Sequence, residues 1–326
     1  MKCKRCQDPA VIELRRHNTA FCTDCFLHHV REQVRRAIDE FDMIEPGQRV
    51  LVAVSGGKDS LGLWDILLDL GYEVDGLYLG LGIGDDSEQG YSHSSGVYTR
   101  EFAARRRARL IEIDLPTDFG YDIPTGAAAA RRAPCSACGL SKRHLFNQAA
   151  VDGGYDVVAT GHNLDDEAAV LLGNVLRWNV EYLGRQLPVL PGGNGFVRKV
   201  KPLVRLGERE MAAYCVLRGI DYIVEECPMA DGNRHLGYKH ALDEIETGSP
   251  GAKAAFYFEF LSKASSLFRP LAIAEQEDGL QRCESCGAPT TGTVCAFCAL
   301  VSRATDPERV AAVGVRLGRT RRGRRR

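Results

Sequence analysis

Apolar and polar positions change period repeatedly along this chain, and the changes mark out its elements. From His29 to Phe41, Val30, Val34, Ala37, Ile38 and Phe41 recur at helical spacing and predict an amphipathic helix. Val50 to Val54 is a short, continuous, Val-rich run, the pattern of a strand covered on both faces. Leu61 to Leu70 returns to helical spacing. Val74 to Leu79 predicts a second strand, an Arg-rich stretch from Arg100 to Arg109 a helix, and Leu110 to Leu115 a third strand. Tyr155 to Thr160 predicts a fourth strand, Glu167 to Leu176 its following helix, and Ile220 to Glu226 a further strand-like segment. Strands alternating with helices imply an α/β fold with a doubly wound, mostly parallel sheet. Such folds bind ligands beyond the carboxyl ends of their strands.

The ends of the chain follow a different logic. Cys3-x2-Cys6 is followed after fifteen residues by Cys22-x2-Cys25, and Cys283-x2-Cys286 after eight by Cys295-x2-Cys298. Each set offers four thiolates at the spacing of a closed, tetrahedral Zn²⁺ site, in which the metal replaces a core that so short a segment cannot build. With no open coordination position, both Zn²⁺ sites read as structural, able to present basic side chains to RNA. The expected organisation is a zinc module over residues 1–29, a catalytic domain over 30–275, a second zinc module over 276–302 and a basic tail over 303–326.

Composition supports this division. The 326 residues are 44 % hydrophobic and 26 % charged, enough for one large core with small appendages. No apolar run reaches the length of a membrane span, and Met1-Lys2-Cys3 opens no apolar signal segment, so a cytoplasmic protein without a membrane partner is expected. In that reducing compartment the twelve cysteines read as metal ligands or catalytic groups before disulfides. The net charge of −1 excludes a uniformly basic nucleic-acid binder, yet nine Arg fall between Val301 and Arg326. Six of them crowd Arg319 to Arg326, a tail able to bind RNA without specificity.

At the carboxyl end of the first long strand stands Ser55-Gly56-Gly57-Lys58-Asp59-Ser60. A strand, a Gly-rich turn and a helix start form a phosphate cradle, with backbone N–H groups and the helix pole facing the anion. Val52 and Asp59 stand where a Walker A loop needs Gly and Ser or Thr. The hexapeptide resembles instead the S-G-G-x-D-S loop of the N-type ATP pyrophosphatases. That resemblance implies ATP cleavage between its α and β phosphates and AMP transfer to a substrate oxygen. Ser55, Gly56, Gly57 and Ser60 would hold phosphate beside the strand end Ala53-Val54, Lys58 would neutralise charge, and Asp59 would help place Mg²⁺. Backbone near Leu79 would meet the adenine. After the fourth strand comes Gly161-His162-Asn163-Leu164-Asp165-Asp166, whose carboxylates could simply cap a helix. Beside the first loop, it resembles the second signature of tRNA-modifying enzymes of that superfamily, which implies a catalytic or Mg²⁺-linked Asp166 and close backbone approach at Gly161. His162 reads equally as a hydrogen-bonded structural residue.

Three more cysteines remain together: Cys135 and Cys138, in a Pro134-to-Cys138 turn ahead of a helix, and Cys227 before Pro228. Cys215, among Met211, Tyr214, Val216 and Leu217, reads as a core thiol. C-x2-C with a remote Cys-Pro resembles the TtcA/TtuA family of tRNA thiolation enzymes from about Val50 to Lys239, and the two zinc modules favour the TtuA branch. The resemblance implies a [4Fe-4S] cluster on Cys135, Cys138 and Cys227 with one iron open to sulfur. A persulfide on Cys135 or Cys227 is the alternative. The implied reaction adenylates the uridine O2 and replaces it with sulfur. Cys135 and Cys227 then have a catalytic role with Asp59 and Asp166, and Lys142 would stand between cluster and nucleotide to stabilise the α-phosphate.

The family implies tRNA as substrate, a ubiquitin-like sulfur carrier ending in a thiocarboxylate as donor, and a possible homodimer. The T-loop uridine at tRNA position 54 is the first expectation and wobble-uridine thiolation the second. Arg100, Arg105, Arg106, Arg107, Arg109, Arg131 and Arg132 are either a solvated face or phosphate contacts. Two other classes compete: an amide or amidine ligase of the same superfamily, which needs no Cys triad, and a non-catalytic zinc RNA-binding protein, which needs no nucleotide loop.

Overall fold

The computed structural model describes residues 1–84, 90–230, 234–273 and 279–313, the stretch 270–273 by backbone alone. The Arg319 to Arg326 tail lies outside the described residues. The chain opens with an antiparallel hairpin of β1 (Ile12–Leu14) and β2 (Thr19–Phe21), followed by α1 (Thr23–Glu40). Cys22 is the N-cap of α1 and Cys25 lies in its first turn, so the helix grows directly out of the four-Cys segment and crosses residue 29 unbroken. Its buried face is Phe26, Val30, Val34, Ala37 and Ile38, the face the spacing predicts except that Phe41 is the half-buried C-cap.

The central unit runs β3 (Arg49–Val54), α2 (Lys58–Asp69), β4 (Glu73–Gly80), α3 (Tyr91–Arg106), β5 (Leu110–Asp114), α4 (Leu115–Phe119), α5 (Ile123–Ala129), α6 (Pro134–Asp152) and β6 (Val157–Thr160). It continues with α7 (Leu164–Leu176), α8 (Val180–Gly184), β7 (Val189–Leu190), β8 (Arg198–Val200), α9 (Glu208–Arg218), α10 (Arg234–Gly248), α11 (Ala252–Glu259) and α12 (Ser265–Ile273). The second four-Cys segment holds a hairpin of β9 (Gln281–Arg282) and β10 (Pro289–Thr290), then α13 (Ala296–Ala304).

Strand order in the main sheet is β5-β4-β3-β6-β8-β7, parallel except for β7 at one edge. The expected α/β, doubly wound architecture is the observed one. The chain first winds outward from β3 to β4 and β5, then returns to place β6 on the other side of β3. The carboxyl ends of β3 and β6 therefore flank the point where the winding reverses, the place where open α/β sheets leave a crevice. Both sequence motifs follow these two strands.

Buried Val50, Val52 and Val54 of β3 pack with Leu61, Trp64 and Leu67 of α2, all within 2 % exposure. At about 1.5–3 kcal/mol for each fully buried large aliphatic or aromatic side chain, this contact anchors the turn between the two elements.

Three expectations are corrected. The segment Ile220 to Glu226 is not a strand but irregular chain: the Ile223 amide donates to Gly56 O at 2.9 Å, and Val224 is 79 % exposed. β-branched composition is overridden by a tertiary hydrogen bond. The third strand stops at Asp114, which caps α4 by accepting from the Thr117 amide at 3.0 Å. The Pro134 to Cys138 turn is itself helical, because Ala133 is the N-cap and Pro134 begins α6, where its missing N–H costs nothing.

Candidate active site

The Ser55–Ser60 loop is held by its own side chains. Ser60 Oγ accepts from the Ser55 amide and donates to Gly57 O, both at 3.0 Å, and lies 3.2 Å from Ser55 Oγ. Gly56 has φ +77°, and a Cβ there would stand 2.4 Å from Ser95 O, so the turn tolerates no side chain. Gly57 is the N-cap of α2 without a side chain to satisfy the first amides, leaving that helix end available to an anion. At Gly161, a Cβ would meet backbone of Asp59 and Ser60 at 2.9 Å. The close approach expected at Gly161 is thus an approach to the start of α2.

That packing joins the two motifs. Asn163 caps α7, its Oδ1 accepting from the Asp165 and Asp166 amides at 2.9 and 3.1 Å, while Asp166 Oδ2 accepts from the Asn163 amide at 3.1 Å. The Asn163 amide nitrogen Nδ2 donates to Asp59 Oδ1 at 3.1 Å. Asp166 is therefore a helix cap and also an ion-pair partner, with Lys239 Nζ 2.6 Å away. Burial pushes the Asp59 carboxyl up, the Lys58 ammonium opposes this, and the Asp166 charge reinforces it. Two neighbouring carboxylates in that environment favour a cation between them.

A cavity of about 270 Å³ lies against the loop, reached by Ala53, Val54, Ser55, Gly57, Asp59, Ser60, Leu79, Lys142, Gly161 and His162. Of the expected nucleotide residues, Gly56, Lys58 and Asp166 are outside its wall. The His162 ring nitrogen Nδ1 lies 2.9 Å from Thr160 Oγ1, and burial lowers its basicity. Beyond Lys58 and Asp59 a larger groove of about 850 Å³ opens, bounded also by Arg16, Glu208 and Lys253. The tight loop, the exposed helix pole and the adjoining cavity fit a nucleotide.

The cysteine triad does not line this cavity and approaches it through Lys142, whose charge acts on Cys138. Cys135, Cys138 and Lys142 share one face of α6 at i, i+3 and i+7. Burial raises the Cys138 thiol, the Lys142 charge lowers it, and Cys227 and Cys135 raise it further. Cys227 arrives through the chain anchored at Gly56 by the Ile223 amide. Cys135 Sγ donates to Met229 O at 3.3 Å, two residues past Cys227. Cys215 is buried, with Sγ 3.3 Å from Lys58 O, and burial pushes its thiol up to about 12, as a core thiol requires.

Both end modules bring four sulfurs within 4.8 Å of one another: Cys3, Cys6, Cys22 and Cys25, and Cys283, Cys286, Cys295 and Cys298. A tetrahedral ion with Zn–S near 2.3 Å puts its sulfurs about 3.8 Å apart, so these sets fit a single ion. Backbone amides help: the Cys295 amide donates to Cys283 Sγ at 3.2 Å, and such bonds bring Cys283 down to about 6. Among the described residues, the triad forms no such compact set. Three thiolates that are not gathered within 4.8 Å of one another suit an iron–sulfur group better than a single tetrahedral ion.

Each module also docks near the site. Arg16 donates to Arg205 O at 2.7 Å and to Glu210 Oε2 at 2.6 Å, fastening the first module to the start of α9. Phe297 of α13 stacks on His144 of α6 with centroids 4.2 Å apart, and Leu300 packs with Ala127 and Ala137.

Five of the seven arginines find partners within the protein, and of these Arg100 and Arg109 remain 47 % and 66 % exposed. Arg100 pairs with Glu112 at 2.8 Å, Arg106 with Asp65 and Asp69 at 2.9 and 2.7 Å, and Arg109 with Asp75 at 3.7 Å. Arg105 donates to Gly219 O. The helix ends at Arg106, with Arg107 in its left-handed cap. Arg132 donates to Ser136 Oγ at 3.2 Å. Sequence reasoning missed Lys239 and Glu208, which close an ion-pair network with Lys58. Neither carried a motif; only the Gly207-to-Glu210 capping spacing hinted at a helix start there.

Fold and loop together define a PP-loop ATP pyrophosphatase-like α/β enzyme, with a cysteine triad on the chain segments around its candidate nucleotide loop. The 2-thiouridine synthetase TtuA N-terminal LIM domain family matches residues 2–27. The chain is 49 % identical over 298 residues to the tRNA-5-methyluridine(54) 2-sulfurtransferase of Thermus thermophilus, covering 91 % of this chain and 90 % of that one. To its Pyrococcus horikoshii counterpart it is 42 % identical, covering 91 % and 93 %. The chain belongs to this tRNA-5-methyluridine(54) 2-sulfurtransferase family. Its fold is that of a U34-tRNA thiolase NcsA from Methanococcus maripaludis, solved with its [4Fe-4S] cluster, with a TM-score of 0.73, 23 % identity, and 93 % and 96 % of the two chains covered.

Proposed function

We propose that the protein is an ATP-dependent tRNA 2-thiouridine synthetase that acts at the T-loop uridine, position 54. The observation that carries this reading is the joining of two chemistries at one point: the chain that delivers Cys227 is hydrogen-bonded to Gly56 of the nucleotide loop. Lys142 lies on both the cavity wall and the Cys138 face of α6. Family membership supports the tRNA substrate, and the position rests on the relatives' names.

In this reading the Ser55, Gly56, Gly57 and Ser60 backbone and hydroxyls hold the outer phosphates at the α2 N-terminus. Ala53, Val54, Leu79 and Gly161 frame the nucleoside. Asp59, oriented by Asn163, and Asp166 place Mg²⁺, while Lys58 balances charge. Lys142 steadies the α-phosphate as the uridine O2 attacks it and pyrophosphate departs. Cys135, Cys138 and Cys227 would hold a [4Fe-4S] cluster, which supplies an open metal position for sulfur. These residues keep sulfur beside the activated C2, so that AMP is the group expelled. Zn²⁺ in the two end modules is structural, and a thiocarboxylate-ended carrier protein is the donor. A homodimer in the cytoplasm is the expected setting.

Mass spectrometry of tRNA nucleosides from a deletion strain tests the reading. Loss of the 2-thio group at position 54 is expected, and its return on complementation. Unchanged 2-thiolation there, with loss at the wobble position, would move the assignment to the second reading.

A further inference from the structure

The mouth of the nucleotide site already holds an anion that belongs to the protein. Glu208, the first residue of α9, places Oε1 2.8 Å from Lys58 Nζ and Oε2 3.2 Å from Lys239 Nζ. Two ammonium groups, one from α2 and one from α10, thus bracket a single carboxylate. Each has a second partner: Asp59 lies 3.1 Å from Lys58, and Asp166 lies 2.6 Å from Lys239. An ammonium has three donors, so either lysine can keep its aspartate while exchanging Glu208 for another oxygen.

The Lys58 and Glu208 side of this bracket lies on the groove that a polyphosphate leaving the loop would follow, and Lys239 reaches that groove through Glu208. Gly57 and Asp59 line the nucleoside cavity and also the larger groove, where Lys58 and Glu208 stand beside them. Phosphates held at the start of α2 and extending outward therefore meet the place that the Glu208 carboxylate occupies. The lysines are well enclosed, with side chains 18 % and 24 % exposed, whereas Glu208 is 43 % exposed and has room to leave.

We propose that Lys239 is a second phosphate-binding cation of this site, and that Glu208 occupies the anion position between Lys58 and Lys239 until the pyrophosphate moiety of the nucleotide displaces it. The proposal rests on the nucleotide reading above. It makes α10, which follows the Cys227 segment, part of the phosphate site, and it gives the empty enzyme an internal competitor for inorganic pyrophosphate.

Calorimetric binding of inorganic pyrophosphate and of ATP to the full chain, with and without Mg²⁺, tests it in the wild type, Glu208→Gln, Lys239→Ala and Lys239→Arg, each first checked for unchanged thermal melting. Removing the competing charge in Glu208→Gln should tighten pyrophosphate binding roughly tenfold in both conditions. Lys239→Ala should weaken it by a similar factor, and Lys239→Arg should restore most of the loss. Equal or weaker binding by Glu208→Gln overturns the proposal, as does weakening confined to Mg²⁺, which makes Glu208 a metal ligand. Unaltered binding by Lys239→Ala also overturns it. If neither ATP nor pyrophosphate binds any of the four proteins, the nucleotide reading itself fails.

Discussion

The two halves of the active site stand side by side and are built in opposite ways. The nucleotide half is closed on itself: Ser60 ties the loop, Asn163 orients Asp59, and Gly56 and Gly161 sit where no Cβ fits. The cysteine half is open: Cys135 is exposed, its thiol reaches a single carbonyl, and the three sulfurs form no compact set. The contrast teaches that, under the proposed function, phosphate would be recognised by preformed backbone, whereas the sulfur half would be shaped by the group its thiolates hold. The two halves should therefore fail separately.

The largest separation is expected from paired substitutions. Asp59→Ala should lower tRNA-dependent ATP–pyrophosphate exchange by about a thousandfold, since a group that orients the phosphates and their cation is lost. Cys138→Ala should abolish 2-thiouridine formation while exchange stays within about threefold of wild type, because no cysteine touches the phosphates in this account. Parallel loss of both readouts in Cys138→Ala would mean that the halves are one cooperative unit.

A smaller effect should reach the cysteine half through its support. Phe297→Ala removes the ring stacked on His144 and should cost about 3–5 kcal/mol of stability, as for other buried Phe truncations. Read by thermal melting together with both assays, it should depress thiolation more than exchange.

The smallest effect concerns the opposite module. Burial would raise the Glu210 carboxyl, but His29 and Arg16 outweigh it and hold it below its ordinary 4.5. A lowered folded-state value contributes stability above about pH 4.5, and that contribution is lost as pH falls through the folded value. Wild type should therefore exceed Glu210→Gln in denaturant midpoint at neutral pH, and the gap should shrink below pH 4.5. A gap that is constant with pH would exclude the charge as its source.

How much of this was legible depended on the range of the interaction. The strands β3 and β6 and the cradle after β3 announced themselves because a buried parallel strand is a continuous apolar run and the turn is specified by adjacent residues. β8 did not: Arg198-Lys199-Val200 has neither length nor periodicity, and only pairing with β6 and β7 makes it a strand. The Ile220 to Glu226 segment misled because its backbone, at the Ile223 amide, is spent on a tertiary hydrogen bond to Gly56 and not on a sheet ladder. The Arg-rich helix read as either a solvated face or a phosphate face, whereas Arg106 is spent on Asp65 and Asp69. Lys239 and Glu208 were invisible because their significance lies in meeting Lys58 from distant segments. The cysteine sets were readable by count and spacing, but their difference in compactness was a property of the fold.

The central claim is that one site first activates and then thiolates the same uridine. Its most direct test is an anaerobic single-turnover reaction with unmodified tRNA, ATP and a sulfide source, in which AMP, pyrophosphate and 2-thiouridine are quantified together for wild type and Cys138→Ala. The account predicts equal amounts of both products from wild type, and from Cys138→Ala pyrophosphate release without 2-thiouridine. Formation of 2-thiouridine by Cys138→Ala, or by wild type without AMP, would contradict it.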